Sequence, residues 1–171
     1  MNRRNILNLS AITVLALTLM SGSALAQQKS VKEQLVGSWS FVSVETTRAD
    51  GSKFQSFGPN PQGLTIFDAN GRYSSLVLRP DRAKFTSNNR MEGTPEENKA
   101  TAQGTLASYG KYTVDEATRT IIFQIERSSY PNWDGTEQKR SFTLNGDDLT
   151  YSVPAPSTGS GTSKVVLKRA K

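Results

Sequence analysis

"VGSWSFVSVE", residues 36–45, is where the patterned part of this chain begins. Aromatic and β-branched residues alternate with serine there, as suits a pleated strand. A tryptophan follows Gly37-Ser38 at the head of the run. Strands often carry tryptophan, so the meaning of Trp39 depends on what the remaining residues build around it.

Working outward, most of the chain reads as short strands divided by turn chemistry. "GLTIFDA" and "RYSSLVLR" flank Asn70-Gly71, a strong hairpin signal. "YGKYTVD", "RTIIFQIER", "QKRSFTLN", "DLTYSV" and "SKVVLK" follow, with Asn145-Gly146 linking two of them. "SKFQSF" is a further candidate strand, and "APSTGSGT" a flexible loop before the last one. The stretch "QQKSVKEQL" is a polar lead-in with room for a helical turn. "GTPEENKATAQGTLAS" breaks the strand pattern. Thr94 as N-cap, Pro95 at the first helical position and Glu97 three residues on form a capping box. Gly104 weakens the interior, so the expectation is a short helix of about two or three turns. Eight or more strands with one helix suit a closed antiparallel barrel or a sandwich.

Alternation assigns the inward faces. Ile121, Phe123 and Ile125 form one apolar face, against Gln124 and Glu126. Gly110, Tyr112 and Val114 form another, as do Leu149, Tyr151 and Val153. Phe142 and Leu144 point inward as well, and the same parity brings Arg140, Gln138 and Thr136 with them. A buried guanidinium requires a partner. Three placements stay open for Arg140: paired with an internal carboxylate such as Glu126, facing a ligand's anionic group, or at a barrel rim with its head in water.

The first 26 of 171 residues have the order of a secretory leader. Arg3 and Arg4 precede the apolar "ILNLSAITVLALTLM", and Ala24-Leu25-Ala26 supplies a small-x-small cleavage site. Asn8, Ser10, Thr13 and Thr18 interrupt the apolar stretch, which is short for a membrane span. Residues 27–171 then form one domain of 145 residues, with 19 Lys and Arg against 15 Asp and Glu, a net +4. With no transmembrane segment in the mature chain, a periplasmic or secreted location is expected. The chain has no cysteine, which excludes disulfides and a lipidated N-terminus. Basic clusters at "RPDRAKF" and "KVVLKRAK" are mild, and no nucleic-acid-binding module accompanies them.

Lack of both cysteine and histidine removes the usual ligands of zinc, copper and haem, and the histidine base of a serine hydrolase. Asp147-Asp148 and Asp68 with Asn70 read as turn residues rather than a calcium site. "STGSGTSK" lacks the spacing of a phosphate-binding loop. No metal or cofactor is expected. Glu126 is the best single acid–base candidate.

Gly37-Ser38-Trp39 resembles the G-x-W element of lipocalins and related calycin barrels. The resemblance extends to the bacterial and fungal lipocalin-like domain family. It runs through "DGSKFQSFGPNPQGLTIFDANGRYS", "RPDRAKF", "GTPEENKA", "YGKYTVDEATRTI", "IERSSYPNWDGTEQKRSF" and "GDDLTYS". It implies an all-β fold, a closed antiparallel lipocalin-like β-barrel of about eight or more strands with one short helix. It also implies that Trp39 plugs one barrel end beside a basic residue, Lys168 or Arg169, and it brings no established reaction. Relatives often carry histidine in the strand matching "TIIFQIE", where this chain has Phe123 and Gln124, so any imidazole role is absent.

The functional expectation is non-covalent binding of a small hydrophobic or amphiphilic molecule inside the barrel. Tyr73, Tyr112, Phe123, Arg140 and Tyr151 are the candidate lining, with Trp133 at the rim. The same aromatics can instead fill the barrel, and "YPNWDG" can be a packed turn with Trp133 covering the barrel end. Two alternatives stand beside binding. One is a cofactor-free isomerase or cyclase using Glu126 and Tyr112. The other is a solid-packed envelope protein whose basic clusters meet anionic partners.

Overall fold

The computed structural model describes residues 29–171. The leader expected over residues 1–26 and its cleavage site lie outside the described residues. The chain forms β1 (Gly37–Thr47), β2 (Lys53–Gln55), β3 (Gln62–Phe67), β4 (Arg72–Leu78), β5 (Thr105–Asp115), β6 (Thr120–Ser128), β7 (Glu137–Asn145), β8 (Asp148–Val153) and β9 (Thr162–Arg169). Each of β3 to β8 pairs antiparallel with the next, and β1 pairs with both β3 and β9. Eight strands thereby close into a barrel, and β2 is an extra strand against the far end of β1. Closure leaves the eight barrel strands without a long free edge.

Of the two architectures that alternation allowed, the pairing of β1 with β9 selects the barrel. The expected inward faces are the buried ones: Ile121, Phe123, Ile125, Tyr112, Leu149, Tyr151 and Phe142 are all at most 4 % exposed. In β1 a register shift between Phe41 and Ser43 changes the parity. Trp39 points inward before it, and Val44 and Thr46 point inward after it. A second shift lies between Tyr109 and Gly110 in β5, where a side chain on Gly110 would run into the Gln124 carbonyl of β6.

Turn chemistry is placed slightly differently from the sequence expectation. Asp68 to Gly71 connect β3 to β4, with Gly71 at φ 84° and its N–H donating to the Asp68 carbonyl at 3.2 Å. Between β7 and β8, Asn145 pairs with Asp148, so the loop consists of Gly146 and Asp147 rather than starting at Asn145. Gly146 adopts the positive φ of 58° that the tight hairpin demands.

The polar lead-in forms α1 (Val31–Leu35), capped reciprocally by Ser30 and Glu33. Leu35 seals one barrel end with no exposed surface. The second helix, α2 (Pro95–Gln103), begins with the expected Thr94–Glu97 capping box. Gly104 is its C-cap and not an interior residue, and its N–H donates to the Ala100 carbonyl at 2.8 Å. The following "TLAS" is strand, because Leu78, Val77, Leu76 and Ser75 of β4 pair with it. Tertiary pairing outweighs the weak local helical preference there. Among the described residues no helix is long and apolar enough to cross a membrane.

Candidate functional site

The barrel ends differ. At the closed end Trp39 is completely buried, and its indole N–H donates to the Leu35 carbonyl at 2.8 Å. The basic neighbour is Arg169, whose guanidinium stacks 4.2 Å from the Trp39 ring and donates to the Gln34 and Val36 carbonyls. These carbonyls lie at the C-terminal end of α1 and have no helical partner, so Arg169 binds the helix to the barrel while covering Trp39.

The open end holds a cavity of about 60 Å³. On the scale of about 10–15 Å³ per water, it has room for a few waters. Phe41, Val44, Val77, Leu106, Val153 and Val165 contribute apolar wall. Ser75, Ser108 and Ser163 add hydroxyls, and Phe57 with loop 156–158 frames the mouth. The Ser163 hydroxyl bonds Thr46 at 2.6 Å, and that of Ser75 bonds Thr65 at 2.8 Å, so these wall hydroxyls have partners.

Three of the expected site residues line this cavity: Trp133, Arg140 and Tyr151. Arg140 is 7 % exposed, so it does not stand with its head in water at a rim. Its guanidinium lies 4.5 Å from the Phe123 ring, 5.4 Å from Tyr151 and 5.7 Å from Trp133. Nε and Nη2 both donate to Gln138 Oε1, at 3.3 and 2.8 Å. Phe123 stands beneath the arginine, and Tyr73 stands behind the wall, edge-on to Phe123 at 4.8 Å. The Tyr73 hydroxyl donates to Ser108 across a long 3.4 Å. Burial pushes the Tyr73 and Tyr151 phenols above the ordinary tyrosine value, while the Arg140 charge pulls them down. Both are neutral at physiological pH.

Two expected residues lie elsewhere. Tyr112 belongs to the closed end, edge-on to Phe67 at 4.9 Å, with its hydroxyl donating to the Asp68 carbonyl at 2.8 Å. Burial pushes its phenol up to about 12. Glu126 does not reach Arg140. The alternation that buries Phe123 and Ile125 turns it outward, where Arg72 donates to both carboxylate oxygens at 3.0 and 2.8 Å. The Arg72 partnership holds Glu126 below the usual carboxylate range. Tyr112 at the closed end and Glu126 on the outer face do not form one acid–base site.

Sequence reasoning missed the hydroxyl layer. Ser75 and Ser108 share the inward parity of Tyr73 and Gly110, so alternation extended along β4 and β5 would have found them. Phe57 and loop 156–158 left no such signal, because loop placement depends on the closed barrel. Among the described residues no group of three or more Asp, Glu, His or Cys side chains is gathered as a metal site.

Residues 36–171 match the family model of the lipocalin-like domain. The chain is also similar to the 4'-hydroxy-3'-methoxypropiophenone carrier protein of Aspergillus oryzae, 36% identical over 94 residues that cover 52% of this chain and 85% of that relative. With β9 closing onto β1, Trp39 sealing one end and a cavity opening at the other, this chain belongs to the lipocalin-like domain family.

Proposed function

We propose that this protein is an exported binding protein that holds a small, partly apolar molecule in its open-end cavity. The observation that carries this reading is a mostly apolar cavity with a nearly buried guanidinium in its wall. Small-molecule sites share that composition, apolar walls with a few oriented polar groups. The relative named as a carrier of an aromatic ketone supports a ligand of similar size and character. Residues 1–26 act as a cleaved leader in this reading, delivering residues 27–171 to the periplasm or exterior.

Protein purified from its own cell envelope, analysed by native mass spectrometry, should begin at Gln27 and retain a small molecule. Val153→Phe adds bulk to the cavity wall, so the variant should fold and lose that molecule. A chain starting at Met1 overturns the export reading. An envelope protein that binds no small molecule, alone or from an aromatic library, overturns the binding reading.

A further inference from the structure

We infer that Arg140 is the receptor for an anionic oxygen, so that the cavity takes an aromatic molecule bearing a carboxylate or phenolate. This rests on the cavity being a binding site and specifies the class of occupant. A guanidinium offers five N–H donors and stays charged at any ordinary pH. In Arg140, Nε and Nη2 converge on one neutral amide oxygen of Gln138, and the Tyr151 phenol is a second neutral hydrogen-bonding neighbour, so both of its side-chain partners are uncharged and fewer than its five N–H groups are engaged. Arg140 lines the cavity.

The charge is unmatched as well. The ion pairs among the described residues join other groups: Lys53 to Glu45, Arg72 to Glu126, Arg79 to Asp81, Arg127 to Asp134 and Arg169 to Asp147. Phe123, Tyr151 and Trp133 offer ring faces to the cation, which stabilises it and fixes its plane. Rings accept no strong hydrogen bond, and the buried phenols of Tyr73 and Tyr151 stay neutral. A neutral acceptor from a ligand would satisfy the free donors and leave the charge uncompensated. An anionic oxygen satisfies both, and charge-assisted bonds are the stronger kind. Trp133 and Phe57 provide flat walls at the mouth for a ring attached to that oxygen.

The test is calorimetric titration of the full-length mature protein with benzoate and cinnamate against their methyl esters, and with para-hydroxyacetophenone over a pH series. The acids should bind the parent at least about tenfold more tightly than the esters, the size expected of a charge-assisted hydrogen bond. The phenol should bind more tightly as pH rises through its own ionisation. Arg140→Met should remove both preferences, so that acid and ester bind alike and the phenol's affinity no longer rises with pH. Gln138→Glu sets a carboxylate against the guanidinium with almost no change of shape. It should suppress the acid preference even if Arg140→Met fails to fold. Equal binding of acid and ester by the parent overturns the anion receptor while leaving the cavity as a binding site. No binding of any probe removes both.

Discussion

The two ends of this barrel each bring together a tryptophan and an arginine, and use them in opposite ways. At the closed end every Arg169 nitrogen is bonded: Nε to Asp147, Nη1 to the Val36 carbonyl and Nη2 to the Gln34 carbonyl. Beneath it Trp39 has no exposed surface. At the open end Arg140 shares one Gln138 oxygen between two nitrogens, has the Tyr151 phenol as its other polar neighbour, and lines the cavity without a carboxylate partner. Trp133 beside it is 9 % exposed and stands in a short turn, Pro131–Trp133, rather than in a strand. A guanidinium whose donors are saturated by the chain is part of the scaffold. One whose partners are all neutral, among apolar walls, is the one we propose for a ligand.

Trp39→Ala tests the scaffold half of this comparison most severely. Losing a fully buried aromatic typically costs about 3–5 kcal/mol, so the variant should unfold or show a much lower urea midpoint. Trp39→Phe should retain part of the stability. A stable Trp39→Ala protein that had lost only probe affinity would move Trp39 from scaffold to ligand site.

The arginines should separate in the same assay. Arg169→Met removes charge-assisted bonds to two α1 carbonyls and should cost about 2 kcal/mol, with affinity for cavity probes unchanged. Arg140→Met should stay within about 1 kcal/mol of the parent, because replacing a poorly paired buried charge by an apolar side chain is often neutral or stabilising. Equal destabilisation by both substitutions would make Arg140 a second structural clamp.

Tyr112 should behave as scaffold too. Tyr112→Phe forfeits the bond to the Asp68 carbonyl, worth about 1 kcal/mol. In the folded protein the Tyr112 phenol is pushed up to about 12, against about 10 in an unfolded chain. Between those values the unfolded chain releases its proton first. The Tyr112 contribution is therefore complete below about pH 10 and disappears as pH rises towards 12. Urea midpoints collected across that window should fall less steeply for Tyr112→Phe than for the parent.

The smallest effect belongs to Glu126→Gln. Arg72 depresses the Glu126 carboxyl, so the pair contributes at neutral pH and its contribution is lost as pH falls through the lowered Glu126 value. Exposed ion pairs contribute little, and the variant should differ slightly from the parent near neutrality and match it in acid. Probe affinity should not change. A loss of binding would return Glu126 to the site that its outward orientation takes it from.

The sequence by itself determined what depends on neighbouring residues along the chain. Strand alternation placed Phe123, Arg140, Phe142 and Tyr151 on inward faces, and all four are buried. The Thr94–Glu97 capping box marked the start of α2, because a cap is completed within one helical turn. The resemblance carried by Gly37-Ser38-Trp39 pointed to a plugged barrel end, and left Lys168 and Arg169 equal as its basic neighbour. Only the tertiary structure chose Arg169, whose partners Gln34 and Val36 lie more than 130 residues earlier in the chain. It also joined Glu126 to Arg72 across 54 residues and left Arg140 facing the cavity without a carboxylate. The parity change in β1 between Phe41 and Ser43 belongs with these, since a bulge is fixed by the strands paired on either side. Which face a side chain takes follows from a repeat of two residues along its own strand. What it meets on that face is decided by register and closure, when β9 returns to β1 and distant segments share one interior.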